Sequence, residues 1–92
     1  MIFEWDEKKN ELNFIKHKLN FVCVEDFPWH EAIIFDRTHI EDSEKRYAAV
    51  GKLYGKLHTV IFTKRGKSTR VISLRRANKS EEKAYENKIK KS

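Results

Sequence analysis

The sequence predicts an α+β fold: an antiparallel β-meander of about four strands packed against N-terminal helices and a C-terminal helix. Three observations predict it. Helical signals cluster at the two ends of the chain and strand signals in the middle, the segregated order of an α+β domain. The middle holds apolar or alternating runs of strand length. The connections between the last three runs are short glycine turns, which permit only antiparallel hairpins.

Each element has its own justification. Ile2-Phe3-Glu4-Trp5 reads as a short strand, and Asp6 followed by Glu7 is a helix N-cap with an acidic first turn. Leu12, Ile15 and Leu19, with Phe14 alongside, recur at helical spacing and predict an apolar face on a helix from Glu7 to His17. Asn20 caps a second, short helix through about Asp26, and Pro28 ends that segment. Glu31 to Asp36 contains the strand-like run Ala-Ile-Ile-Phe, and Arg37 to Ser43 is a polar loop. Lys45–Tyr54, Leu57–Lys64 and Thr69–Arg76 are three further strands, turned at Gly55-Lys56 and at Arg65-Gly66-Lys67-Ser68. Asn78 with Glu81 forms a capping box for a helix from about Ser80 to Ile89 that buries Tyr85 and Ile89 and frays over Lys88–Lys91. The order β-α-α-β-β-β-β-α fits one domain over residues 1–92.

At this length the core is thin, because a chain of this size buries only ~60–65% of its unfolded surface. A shallow groove is therefore expected rather than a deep enclosed site. No run of ~18 apolar residues is present to span a membrane, and the opening MIFEWDEKKN has no signal-peptide core. A cytoplasmic location is expected. The lone Cys23 sits in the apolar run Phe21–Val24 and reads as a buried structural thiol. Trp5 and Trp29 read as core or interface anchors.

Charge is the strongest functional signal. Residues 1–44 carry a net charge of −6 and residues 45–92 carry +12, and from Lys45 to Lys79 there are eleven Lys or Arg and no Asp or Glu. A basic segment that must fold as sheet concentrates its field on an anionic partner, with RNA first among candidates. Lys52, Lys64, Arg65, Lys67, Arg70, Arg76 and Lys79 are the candidate RNA contacts. Strand alternation places Ile72 and Leu74 toward the core, and Val71, Ser73 and Arg75 on an open face. Glu44, Arg46, Ala48 and Val50 share one side of the preceding strand.

Such a face is equipped for RNA cleavage without a metal. A base takes the 2′-hydroxyl proton, a cation stabilises the phosphorane, and an acid protonates the leaving oxygen. Glu44 or His58 suits the proton transfers, and Arg46, Arg75 or Lys64 the cation. The plainer alternatives are a strand-end salt bridge for Glu44 and ordinary surface arginines. His17, His30, His39 and His58 have no metal-ligand spacing, and no phosphate-binding glycine loop is present, so no cofactor or metal is expected.

Several fragments together resemble the BrnT toxins. They are Phe3-x-Trp5-Asp6 with Lys9, Asn10, Asn13 and Lys16-His17, then Glu44-x-Arg46 and Gly51, then Arg70-Val71-Ile72-Ser73-Leu74-Arg75-Arg76-Ala77 with Glu82 and Tyr85. The resemblance implies a ribonuclease of RelE-like fold, the toxin of a type II toxin–antitoxin pair. It implies a BrnA-like antitoxin that neutralises the toxin and carries the DNA contacts. It points to Glu44, Arg46, Arg75 and Tyr85 as functional positions. The sequence departs at Lys18, where the family has a helix-ending glycine, so the turn there is expected to differ. The alternatives are a non-catalytic nucleic-acid-binding module and a ParE-like, gyrase-directed toxin.

Overall fold

The computed structural model describes residues 1–91, and Ser92 lies outside them. The elements are β1 (Ile2–Glu4), α1 (Glu7–His17), a 3-10 turn (Phe21–Glu25), β2 (Ile33–Asp36), β3 (Tyr47–Leu53), β4 (Lys56–Arg65), β5 (Ser68–Arg76) and α2 (Lys79–Lys91). Strands β2 to β5 form the expected meander. The sheet is nevertheless five-stranded and mixed, in the order β1-β5-β4-β3-β2, because β1 runs parallel to β5 and pairs Ile2 to Glu4 with Ser68 to Arg70. A bond of 2.7 Å from Arg70 to Glu4 ties that edge down.

One sheet face carries the apolar core. Phe21, Val24 and Phe27 close over Ala49, Leu53, Val60, Phe62, Val71 and Leu74. Trp29 anchors the cluster as its sequence suggests. Its indole N–H donates to the Val24 carbonyl at 2.9 Å, and its ring meets Phe3, Phe27 and Phe62. Trp5 packs edge-on against Phe21, and Cys23 is half-buried against the same core. At Gly51 the phenyl ring of Phe27 and the ring of Pro28 come so close that a Cβ would sit 3.1 and 3.2 Å from them.

Helix α1 corrects the reading of its apolar face. Leu12 and Ile15 are 65% and 67% exposed, Phe14 is half-exposed, and the buried side chains are Asn10 and Asn13. The reason is hydrogen bonding. β1 pairs only with Ser68–Arg70, so the outer edge of β5 beyond it has free peptide groups that burial would leave unsatisfied. The Asn13 amide supplies both partners: Nδ2 donates to the Leu74 carbonyl at 2.8 Å and Oδ1 accepts from the Leu74 N–H at 3.1 Å. Asn10 accepts from the Phe21 N–H at 2.8 Å and donates to Asn20, which caps the 3-10 turn. The helix ends at Lys18, which adopts the left-handed conformation itself (φ 61°) and donates its N–H to Phe14. Lys18 thus takes up a left-handed conformation that glycine would adopt more freely.

A β-bulge corrects the alternation on β5. Ile61 pairs with Ser73 but Phe62 pairs with Val71, so Ile72 has no partner on β4. Val71 and Leu74 thus both enter the core, while Ile72 and Ser73 are displaced to its border. Bulges bend a strand and re-aim its side chains in this way.

The second sheet face, bearing Ala48, Val50, Thr59 and Ile61, is not open. α2 lies over it, and Ala48, Val50 and Thr59 are fully buried. α2 continues regularly to Lys91; Glu81 is its buried residue, Tyr85 is half-buried, and Ile89 is half-exposed.

Candidate functional site

A groove of about 370 Å³ remains where α2 begins, bounded by Arg37, His39, Arg46, Ile61, Ile72, Ser73, Arg75 and Asn78. Strands β4 and β5, the β2–β3 loop and the Asn78 cap of α2 converge to make it. Arg75 stands near the end of β5. The β2–β3 loop brings Arg37, His39 and Arg46, and the bulge supplies Ile72 and Ser73. The loop is held in place by its own bonds. Thr38 accepts from the Arg46 N–H, and the Arg37 N–H donates to the Arg46 carbonyl, both at 2.8 Å. Asp42 accepts from the His39 N–H at 2.9 Å and faces Arg46 at 3.7 Å.

Glu81 organises the arginines. Its side chain is 1% exposed, whereas those of Arg75 and Arg37 are 24% and 35% exposed. One carboxylate oxygen accepts from Arg75, Thr59 and the Asn78 N–H at 2.7, 2.9 and 2.9 Å, and the other accepts from Arg75 at 2.9 Å and from Arg37. The Glu81 N–H donates back to Asn78 at 2.9 Å, completing the capping box. Burial alone would raise this carboxyl, but the bonds from Arg75, Asn78, Arg37 and Thr59 outweigh it and hold it at about 2. The same bond to Glu81 raises Arg75 above the usual guanidinium value. The carboxylate is thus sealed inside while both arginine side chains remain partly exposed. Arg37 also keeps a buried Nε–H without an acceptor among the described residues.

The structure unites two of the sequence candidates and separates the others. Arg46 and Arg75 share the groove. His58 does not join them: it is buried on the core face, with Nδ1 2.8 Å from the Lys56 carbonyl, and burial lowers its pKa. Glu44 lies outside the groove in a two-bond pair with Arg65 at 2.8 and 3.1 Å, and that pairing lowers its carboxyl. Tyr85 lines a different groove, with Lys52 and Leu57. Among the candidate RNA contacts, Arg65 and Arg70 are committed to Glu44 and Glu4, and Lys64 donates to Thr69 at 3.1 Å. Lys67 sits in the β4–β5 turn, Arg76 at the exposed end of β5, and Lys79 at the start of α2.

Sequence reasoning passed over Arg37, His39 and the second role of Glu81. The first two sit in a loop read only as polar. For Glu81 a signal existed: it is the first carboxylate after Glu44, at the end of a long cationic run.

Comparison with known proteins gives the groove a context. Residues 5–81 match the model of the family described as ribonuclease toxin, BrnT, of type II toxin–antitoxin system. No curated protein matches the chain. Among solved structures, the 1.1 Å crystal structure of the Brucella abortus ribonuclease toxin BrnT is similar with a TM-score of 0.67 and 31% identity, covering 86% of this chain and 100% of that one. By these two matches the chain belongs to the BrnT family of ribonuclease toxins of type II toxin–antitoxin systems.

Proposed function

We propose that the protein is an endoribonuclease that cleaves RNA without a metal, inhibits translation and growth, and is silenced by a cognate, acidic, BrnA-like antitoxin. The observation that carries this reading is the convergence of Arg37, Arg46 and Arg75 with His39 around one groove, with Glu81 fixing two of the guanidinium groups from beneath. Fixed cations aimed at developing charge are the largest single source of stabilisation in such reactions.

The chemistry is internal transesterification. The substrate 2′-oxygen attacks the adjacent phosphorus, the P–O5′ bond breaks, and a 2′,3′-cyclic phosphate and a 5′-hydroxyl result. Arg46 and Arg75 take the role of binding the non-bridging oxygens, whose charge rises in the phosphorane. Proton transfer falls to His39 in the groove and to His17 on the adjoining wall. Burial, then Lys16, then Arg75 lower the His17 pKa, which favours the neutral imidazole that can accept the 2′-hydroxyl proton. An antitoxin over the same groove excludes RNA, and its acidic character speeds docking on the basic half of the chain.

The test is to incubate purified, folded protein with single-stranded RNA in the presence of a chelator, and to induce it in bacteria with and without its antitoxin. Cleavage with 2′,3′-cyclic phosphate ends, and growth arrest relieved by the antitoxin, are expected. Arg46→Ala, which removes no partner of Glu81, is expected to slow cleavage by roughly 10²–10³. Intact RNA, or cleavage abolished by the chelator, would overturn the proposal.

A further inference from the structure

A second groove, lined by Lys9, Leu12, Asn13, Lys16, His17, Ile72 and Ser73, adjoins the first. The two share Ile72 and Ser73, the residues displaced by the bulge, so they form one continuous furrow from the β2–β3 loop to α1. α1 cannot drift from this position, because Asn13 bonds both peptide groups of Leu74, the residue next to Ser73. On an α-helix, residues three and four apart share a face. Lys9, Lys16 and His17 lie four before, three after and four after the anchoring Asn13, so one docking contact presents all three to the furrow. Glu7 and Glu11 line a separate groove with Phe14 and Ile15, so α1 keeps its carboxylates away from this face. Among the described residues, no carboxylate lies within ion-pairing reach of Lys9 or Lys16. Both lysines are exposed.

We infer that α1 is part of the nucleic-acid site: Lys9 and Lys16 bind backbone phosphates of the nucleotides flanking the one held by Arg46 and Arg75. The inference rests on the ribonuclease reading and extends it from a single phosphate to a strand. The two lysines are seven residues apart, about 10 Å along the helix, or roughly three nucleotides at the stacked rise of ~3.4 Å per strand. Contacts to phosphate carry no sequence information, so this track contributes affinity and direction rather than base preference.

The test uses a fluorescent 2′-O-methyl RNA, which lacks the attacking hydroxyl and so reports binding alone. It is titrated against the wild type, the double variant Lys9→Ala/Lys16→Ala and the charge reversal Lys9→Glu/Lys16→Glu, with thermal melts to confirm folding. Loss of two phosphate contacts is expected to weaken binding roughly 10-fold at low salt and to flatten the slope of log K against log salt by about 1.4. The reversal is expected to weaken it further. Wild-type affinity and slope in both variants would overturn the α1 track while leaving the ribonuclease reading intact. Failure of the wild type to bind or cleave RNA would instead bring down that reading, and the track with it.

Discussion

Glu81 is the residue on which the groove depends. Its carboxylate pairs with two arginines, satisfies Thr59 and caps α2, all from a position 1% exposed. Removing one partner of a buried ion pair costs far more than the pair contributes, because the remaining charges are left uncompensated. Glu81→Gln keeps the shape and the cap but leaves Arg37 and Arg75 without a counter-charge. We expect it to lower stability by about 3 kcal/mol, read as a drop in urea midpoint at unchanged slope, and to lower kcat more than it raises KM. An unchanged midpoint would mean that the arginines find other anions and that Glu81 is not their anchor.

At the scale of the element, α1 is informative because it is held by amides rather than by apolar packing. Asn13→Ala strands the buried N–H and C=O of Leu74, at about 1–3 kcal/mol for each unsatisfied group. Hydrogen exchange at the Leu74 amide is expected to quicken more than at Val60 in the sheet centre. Equal acceleration everywhere would show only a global loss of stability. The end of the same helix carries local strain, since Lys18 occupies a conformation that glycine adopts freely. Lys18→Gly is expected to raise stability by up to about 1 kcal/mol, and a lower melting temperature would refute that account. The bulge at Ile72 is the second element-scale device. Without it Ser73 and Arg75 would keep strict alternation with Val71, and the furrow floor between α1 and the arginines would be lost.

At the scale of the whole molecule, three groups that titrate at acid to neutral pH act in one direction. His58 and His17 are lowered from 6.5, chiefly by burial, and Glu81 is lowered from 4.5 to about 2. A group whose folded pKa is depressed contributes stability above its unfolded value and loses it as pH falls through the folded one. Stability is therefore expected to be full above pH 6.5, to decline as the histidines are forced to charge, and to decline again below 4.5 as Glu81 is protonated. Urea midpoints across this range give the test, and a midpoint that rises from neutral to mildly acid pH would contradict it. The charge asymmetry, −6 in the first half and +12 in the second, is a property of the same scale. The fold partly undoes it: Glu4 and Glu44 from the acidic half neutralise Arg70 and Arg65 from the basic half. The arginines of the groove retain their reach to solvent.

The sequence by itself determined the element order, because caps, glycine turns and strand alternation act over a few residues. It also determined the basic character of the second half, and the family-like block that contains Arg75. Tertiary structure decided the rest, because those features depend on pairings distant in the chain. β1 became a parallel edge strand only by meeting β5, and Asn13 displaced Leu12 and Ile15 from the inner face of α1 because Leu74 needed partners. His58 was drawn into the core face by the same alternation that put Val60 and Phe62 there, away from the groove that holds Arg46 and Arg75. Arg37 met Glu81 across 44 positions of sequence, beside Arg75 and His39. No local pattern encodes that meeting. It arises because a buried carboxylate must find its cations wherever the fold brings them.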